Sequence, residues 1–513
     1  MRLEDFISES TDIKKQWLQY VKSNPMLKAG VEVMTKIETK GSNAWVVGGA
    51  VRDIVLGTNP KDIDIATNMK MDELEKIFKT YDVGSSRDFG IVVVNHKGFQ
   101  FEIAMLRGET YQKPKTVRKI TKLGPPEPYD TNNPDHKDPT KYEVVAYESS
   151  GRRPTGVTFD VDLKGDMARR DLQVNAMAID LDGNIIDHFD GIKAIRDKVL
   201  KTVGDPNKRF EEDYLRQLRV VRFAGKLGFD IDPKTADAIK THKDKLTGLS
   251  PERIKDEIWK MASQSGDKFA NSLRLMDTLG ILDIILPEVS LMKTTKETES
   301  HHPEAYEQGD GSVFDHVMAA LKANKTKDPI VNLSVLLHDV GKPKTFNKVG
   351  DRNTYFGHAE EAKDIIDVIA KRLKLSNKEK NSITFAAMNH MKLFKGGEMK
   401  PSKIMKLVND ENWALLKAVS FCDDSCRTGL FDKKKFDATI KNMEDISQKW
   451  GSKTVNKVAK VVDGERVLRL TKERPGKLIG DIIAAVTDEV LSKNVKSDKE
   501  IDVLIMKYYK ELK

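Results

Sequence analysis

The chain has 513 residues, 39% of them hydrophobic and 32% charged, which gives room for three or four domains with apolar cores. No apolar run reaches the length of a membrane span, and the acidic start MRLEDFISES lacks the apolar stretch of a secretory signal. Two cysteines, Cys422 and Cys426, exclude a disulfide framework and point to a reducing, cytoplasmic setting, while the net charge of +8 suits a polyanionic partner or a plain lysine-rich surface equally well.

Residues 1–40 carry apolar positions (Phe6, Ile7, Trp17, Val21, Met26) that predict one or two helices. Between 44 and 105 the short apolar runs AWVVGG, IDIAT, GIVVVN and FEIAML alternate with helical stretches, which predicts a small sheet with helices on it. Residues 113–150 are rich in Pro, Lys, Asp and Asn and read as an extended or mobile insert. NAMAIDLDGNIIDHF predicts a hairpin turning at Asp182-Gly183. From about residue 205 helical periodicity takes over, with a break at Arg474-Pro475-Gly476. The fold class is therefore α+β: an α/β head followed by a long helical body. The expected segments are an N-terminal extension (1–40), the head (41–195), a neck and body (196–290), a His-rich helical domain (291–440) and a helical tail (441–513).

Gly48-Gly49 follows the strand AWVV and leaves backbone amides bare for close approach to a phosphate. Asp62 and Asp64, at i and i+2 of a strand, put two carboxylates on one face. Paired carboxylates repel unless a cation sits between them, and such pairs cradle the Mg²⁺ of phosphoryl transfer. Glu102, in the alternating Phe101-Glu102-Ile103, is the best third acid. Six of the ten histidines fall between 301 and 390, and Asp423-Asp424 follow; imidazoles with carboxylates suit Mn, Ni, Co, Fe or Zn.

The string Gly-Gly-x-Val-Arg-Asp, Leu-Gly, Asp-x-Asp-x-x-Thr over residues 48–67 resembles the signature of class II tRNA nucleotidyltransferases, the CCA-adding enzymes and bacterial poly(A) polymerases. Leu106-Arg107, Gly151-Arg152-Arg153-Pro154, Ala168-Arg169-Arg170-Asp171, Asn175-Ala176, Asp187-His188-Phe189-Asp190-Gly191 and Leu249-Ser250-Pro251-Glu252-Arg253 extend the likeness in order. Leu172-Gln173-Val174 stands where the family usually has Phe-Thr-Ile.

The resemblance implies a polymerase β-like head with Asp62, Asp64 and Glu102 at a catalytic Mg²⁺ site. It places Gly48, Gly49, Arg52, Asp53, Arg107, Arg170, Asp171, Asn175, Asp213, Arg216, Arg219 and Arg222 around the nucleotide. Asp213 and Arg216 would be the base readers, read here as sharing a helix face at i and i+3. Cytosine and adenine both offer an amino donor beside a ring-nitrogen acceptor, which a carboxylate and a guanidinium can match; uracil and guanine invert the pattern. The partners implied are tRNA, CTP and ATP, with no membrane and with a second copy of the chain as a further candidate.

The histidine segment resembles an HD phosphohydrolase domain, as some bacterial CCA-adding enzymes carry. His316, His338, Asp339 and, of the two later acids, Asp424 would be its ligands, with His358 and His390 supporting a second metal. The rival readings are a poly(A) polymerase, an enzyme adding only CC or only A, a phosphohydrolase whose head merely binds RNA, and a pure RNA-binding protein.

Overall fold

The computed structural model describes residues 3–81, 87, 89–110, 115–119, 127–128, 142–147, 156–159, 161–350, 352–493, 495 and 497–513. The segment Gly151-Arg152-Arg153-Pro154 and most of 113–150 lie outside the described residues. The chain divides into two compact units: Met1–Ile258 with Asn271–Ile285, and Trp259–Ala270 with Leu286–Lys513.

The first unit opens with α1 (Leu3–Ser23) and α2 (Pro25–Glu38). Asn24 caps α2 by accepting from the Met26 and Leu27 amides, and Pro25 supplies the preset first turn. Then follow β1 (Ala44–Val47), α3 (Gly49–Val55), β2 (Asp64–Thr67), α4 (Met71–Ile77), β3 (Thr80–Tyr81), β4 (Ile91–His96), β5 (Phe99–Met105) and β6 (Gly108–Thr110). After β7 (Lys115–Lys119), β8 (Glu127–Pro128), β9 (Tyr142–Tyr147) and β10 (Gly156–Thr158) come α5 (Leu163–Ala168), β11 (Met177–Ile179), β12 (Ile185–Asp187) and α6 (Gly191–Arg196). The main sheet runs β12-β11-β1-β2-β5-β4-β3, antiparallel except for the parallel pair β2–β5.

Alternation along β5 buries Phe101 and Ile103 and leaves Glu102 on the opposite face. Helix α2 packs on the buried side, where Gly30 lets the backbone come close to the Phe101 ring. Ile13, Trp17 and the buried face of α2 thus belong to the head's core. Trp17 of α1 is buried against the Asp182-Gly183 turn, where Gly183 adopts φ +80, so the expected hairpin is present. The expected irregular insert is corrected in part: β7, β8 and β9 pair into a three-stranded antiparallel sheet. Its Val, Thr and Tyr residues supply enough strand preference to outweigh the polar composition around them.

Beyond the head, β13 (Val199–Leu200), α7 (Pro206–Glu212), α8 (Arg216–Leu227), β14 (Asp230–Ile231), α9 (Pro233–His242), α10 (Pro251–Ala262), α11 (Gly266–Thr278) and α12 (Leu282–Ile285) follow. The second unit continues with α13 (Pro287–Leu291), α14 (Pro303–Gln308), α15 (Val313–Ala323), α16 (Pro329–Leu337), α17 (Lys342–Thr345), the hairpin β15 (Asn347–Val349) and β16 (Arg352–Thr354), α18 (His358–Arg372) and α19 (Asn377–Asn389). It ends with α20 (Pro401–Val408), α21 (Trp413–Ser425), α22 (Lys433–Val461), α23 (Gly464–Thr471), α24 (Lys477–Lys493) and α25 (Asp498–Leu512). The last three helices close on an apolar core that includes Val467, Ile482, Val486 and Ile505. No helix among the described residues is long and apolar enough to cross a membrane.

Candidate active site and metal centre

Strand β1 delivers the chain into Gly48, at φ +73 and ψ −127, a conformation open to glycine and hardly to other residues. A Cβ there would lie 2.9 Å from Arg170 Nη1 and 3.9 Å from Asp64 Oδ2, so bare backbone, guanidinium and carboxylate converge. One turn on, buried Arg52 donates from Nη1 to Asn175 Oδ1 (2.7 Å) and from Nη2 to Asp53 Oδ1 (2.7 Å). Gly49 leaves room beside this guanidinium, 3.5 Å from where its Cβ would be.

Ile63 and Ile65 point into the core, which turns Asp62 and Asp64 to the other side. The parallel register pairs Asp64 with Glu102, so a third carboxylate stands alongside, about 4.8 Å across the ladder. Crowding has an electrostatic signature. Desolvation and then the charges of Asp62 and Glu102 push the Asp64 carboxyl up to about 6, against the pull of Arg170. An oxygen-only, net-negative set of this kind fits a hard cation such as Mg²⁺.

Behind the acids lies a charge hub that sequence reading missed. Asp166, buried at the end of α5, accepts from Arg169 Nη2 (2.7 Å), Arg170 Nη2 (3.3 Å) and the Arg107 amide (3.3 Å). Arg107 also pairs with Glu109 (3.1 Å) and donates to the Phe89 carbonyl. The signal was available as the i, i+3 and i+4 spacing in Asp166-Met167-Ala168-Arg169-Arg170. Arg170 keeps donor capacity: its Nε has no hydrogen-bond partner.

Asp171 is buried and binds Arg219 Nε at 2.6 Å. Burial works to raise its pKa, but the charge and hydrogen bond of Arg219 prevail and hold it at about 2. Arg222 donates to buried Glu257 (2.6 Å). The guanidiniums of Arg52, Arg219 and Arg222 all face the Phe223 ring, at 5.2, 5.9 and 4.2 Å.

The shared helix face expected of Asp213 and Arg216 is not found. Helix α7 ends at Glu212, Asp213 is extended (φ −155, ψ 107), and α8 begins at Arg216. The break is locally stabilised: Asp213 Oδ1 accepts from the Leu215 amide (3.0 Å), and Oδ2 pairs with Arg253 (2.7 Å). Arg216 pairs instead with Glu212 and donates to the Arg169 carbonyl (3.2 Å). Both residues lie in the same unit as the acids.

The second unit holds a separate buried cluster. His338, His358 and His390 each direct Nδ1 at the carbonyl three residues earlier (Val335, Tyr355 and Ala387, at 2.7, 2.8 and 2.7 Å). A carbonyl only accepts, so Nδ1 carries a proton, and Nε2 is the nitrogen left to offer a lone pair to a metal when the ring is neutral. His316 reaches the same state through buried Glu304 (2.7 Å). The His316 and His338 Nε2 atoms then face each other at 3.4 Å, and those of His358 and His390 at 3.5 Å. Two nitrogens each about 2.1 Å from one tetrahedral ion stand about 3.4 Å apart, so both pairs have a metal's bite.

Asp339 lies between the pairs, with Oδ2 3.1 Å from His338 Nε2 and Oδ1 3.5 Å from His358 Nε2. That Oδ1 is buried without a hydrogen bond, the orphan expected of a ligand oxygen. Lys342 Nζ bridges Asp339 Oδ2 and buried Glu297 (2.7 Å each).

The distal acid is corrected. Asp423, not Asp424, faces the cluster, with Oδ1 3.3 Å from His316 Nε2. Successive helical residues are turned by about 100°, so Asp424 points elsewhere and pairs with Arg427. Cys426 Sγ lies 3.9 Å from His316 Nδ1 and donates to the Asp423 carbonyl (3.2 Å), on the far side of the ring from the lone pairs.

Residues 44–201 match the family model described as the poly A polymerase head domain, and residues 228–292 match the probable RNA and SrmB-binding site of polymerase A. A CCA-adding enzyme of Bacillus pumilus is 38% identical over 232 residues, 45% of this chain and 48% of that protein. The chain spans about half the length of the curated relatives it matches. In fold it is similar to the crystal structure of the Bacillus stearothermophilus CCA-adding enzyme in complex with CTP (TM-score 0.62, 23% identity, 95% of this chain and 98% of that one). It is also similar to the Thermotoga maritima CCA-adding enzyme complexed with tRNA (TM-score 0.50, 17% identity, 96% and 98%). Segments of the chain thus match the poly A polymerase head and RNA-binding models, and over about half its length the chain is similar to bacterial CCA-adding enzymes.

Proposed function

We propose that this protein is a cytoplasmic, template-independent RNA nucleotidyltransferase that builds or repairs the 3′-CCA end of tRNA from CTP and ATP. The observation that carries this reading is the meeting of Gly48, Asp64 and Arg170, with Asp62 and Glu102 alongside. The names of the curated relatives, and solved relatives holding CTP and tRNA, support it. Asp62, Asp64 and Glu102 would hold Mg²⁺. Bound there, the ion supplies positive charge that neutralises the triphosphate and acidifies the attacking 3′-hydroxyl.

The chain's own groups do the positioning. Gly48 admits the triphosphate against bare backbone, and Arg170 offers its spare N–H donors to the phosphates. Arg52 and Asn175 brace each other beside it, and the Asp171–Arg219 pair fixes the base of α8. The 3′-hydroxyl gives up its proton to water, its oxygen bonds to the α-phosphorus, the bond from that phosphorus to the bridging oxygen breaks, and pyrophosphate leaves. For base reading, Arg216 exchanges Glu212 for the ring nitrogen, while Asp213 keeps Arg253 and accepts the amino group with a free lone pair.

The test uses tRNAs ending before CCA, after C and after CC, with Mg²⁺ and one labelled nucleotide at a time. Ordered addition of C, C and A that then stops, and that Asp64→Ala abolishes, is expected. Long A tails would identify a poly(A) polymerase, and partial addition a CC- or A-adding enzyme.

A second reading rests on the paired Nε2 atoms of the other unit, which favour metal-dependent hydrolysis of phosphate ends by an HD-type centre. His316, His338, Asp339 and Asp423 would hold one transition-metal ion, and Asp339, His358 and His390 a second. Hydrolysis by the wild type that is lost in His338→Ala, with nucleotide addition intact, would support it.

A further inference from the structure

An open pocket of about 700 Å³ adjoins the acid set of the head on the side away from Gly48. Its lining includes Asp62, Met26 of α2, and Asn95, Lys97, Phe99 and Gln100 of the β4–β5 hairpin. Alternation fixes which of these face the acids. Asn95 pairs with Gln100 and Val93 with Glu102, and Glu102 pairs with Asp64, so Asn95 and Gln100 share the carboxylate face. Two residues of strand, about 6.6 Å, separate Gln100 from Glu102. Both amides are exposed, and neither side chain makes a hydrogen bond among the described residues. Lys97 and Gly98, at φ 51 and 83, form the tight turn at the hairpin's tip. The Lys97 ammonium is anchored on Glu32 at 2.6 Å, yet its side chain is 60% exposed and it keeps N–H donors to spare. Glu32 is engaged by His96 as well, at 2.8 Å.

The direction of attack says what belongs there. An in-line displacement brings the entering oxygen in opposite the leaving group. In the proposed reaction Gly48 and Arg170 keep the triphosphate, and so the departing pyrophosphate, on the β1 side of the carboxylates. The attacking 3′-hydroxyl then comes from the β5–β4 side, where the pocket lies. The groups along the hairpin follow the order of a nucleotide chain. Carboxylates, two amides and an ammonium at the tip match hydroxyl, sugar and phosphate in turn. Met26 and Phe99 add an apolar wall for a base. An end that grows by C, C and A presents a changing last base, which stacking tolerates and edge reading would not.

We propose that this pocket seats the 3′-terminal nucleotide of the RNA, with Asn95 and Gln100 on the 2′-hydroxyl of its ribose, Lys97 on its phosphate and its base against Met26 and Phe99. The 2′-hydroxyl both donates and accepts, as a side-chain amide does, and it neighbours the 3′-hydroxyl that must reach Asp62 and Glu102. The two amides thus make the protein prefer an end that is RNA over one that is DNA. The direction of attack rests on the nucleotidyl-transfer reading, but the binding can be measured without any transfer.

The experiment measures binding and transfer separately on the full chain. Fluorescence anisotropy, in Mg²⁺ without nucleotide, follows a labelled hairpin RNA with a single-stranded 3′ end whose last sugar is either ribose or 2′-deoxyribose. Wild type should hold the ribose end about fivefold more tightly, as expected for one hydrogen bond. Asn95→Ala combined with Gln100→Ala should abolish that preference. Gln100→Glu, which keeps the side chain's shape without its N–H donors, should reduce it. Lys97→Ala should weaken both ends equally and flatten their salt dependence. In single-nucleotide incorporation the double variant should raise KM for the RNA about tenfold and leave KM for CTP unchanged. The thermal midpoint serves as folding control. Lost preference in the variants, with no incorporation by the wild type, would sink the transfer reading and keep the subsite. A wild type indifferent to the last sugar, a double variant that keeps the preference, or equal rises in the two KM values would overturn the subsite.

Discussion

Replacing Gly48 by alanine perturbs the point where backbone, Arg170 and Asp64 meet. At φ +73 and ψ −127 a side chain is strained whatever space surrounds it, at a cost of about 2 kcal/mol. The new methyl would also stand 2.9 Å from Arg170 Nη1, closer than carbon and nitrogen tolerate. The guanidinium is the movable partner, so it yields and leaves the Asp64 carboxylate. For a unit of this size about 2 kcal/mol corresponds to a thermal midpoint lower by ~4–8 °C. Misplacing one charged donor should slow CTP incorporation about 10- to 100-fold. Gly49→Ala is the internal comparison. Its Cβ would make only an ordinary contact, 3.5 Å from Arg52 Nη2, and alanine suits a helix better than glycine. The assay is calorimetry of the full chain together with single-nucleotide incorporation into a tRNA lacking CCA. Equal midpoints and rates for both variants would refute the reasoning, because only one of the two glycines has a conformational reason to be glycine.

Because Asp64 is raised to about 6, Mg²⁺ binding should weaken as pH falls below about 6 and level off above about 7. Isothermal titration calorimetry from pH 5 to 8 reads this, and a flat profile contradicts it. In the second unit, Asp423→Ala should lose bound transition metal while Asp424→Ala keeps it, as measured by mass spectrometry; equal losses would contradict the placement. Asp171, held at about 2 against an ordinary 3.8, contributes about 2 kcal/mol that is present above pH 4 and lost as pH falls towards 2. The stability gap between wild type and Asp171→Asn should therefore narrow on acidification, and a constant gap in urea titrations would count against the ion pair.

The sequence made the short-range parts of the head legible. Asp62 and Asp64 are two residues apart in a strand, and a period of two leaves no freedom about their faces. Glu102 could be named because Phe101 and Ile103 had to be buried, though only the parallel register sets it beside Asp64. The failures came where local pattern met a break. Asp213 to Arg216 reads as continuous helix, but the Asp213 carboxylate caps its own chain through the Leu215 amide and draws Arg253 across. Asp423 and Asp424 differ in sequence by nothing that periodicity resolves, and the choice depends on how α21 is rotated against His316. Residues 113–150 illustrate the opposite error, in which polar composition hid three short strands.

The two clusters also differ in when a cation would enter, and this gives a last prediction. In the head the donors are anionic and crowded enough that Asp64 resists ionising, so an empty site stores repulsion. Adding a triphosphate without a cation would place more negative charge beside three carboxylates with Arg170 as the near counter-charge. Cation and nucleotide are therefore best bound together. In the second unit the donors are mostly imidazoles, already oriented by bonds from Nδ1, and all but His358 are buried. Such a set holds a metal before any substrate arrives and releases it slowly. Dialysis against EDTA should strip the head at once, with CTP incorporation restored immediately by added Mg²⁺, while transition metal stays with the chain for hours. His338→Ala should remove that retained metal without slowing incorporation. Equally rapid loss from both sites would show that burial and donor orientation do not govern retention here.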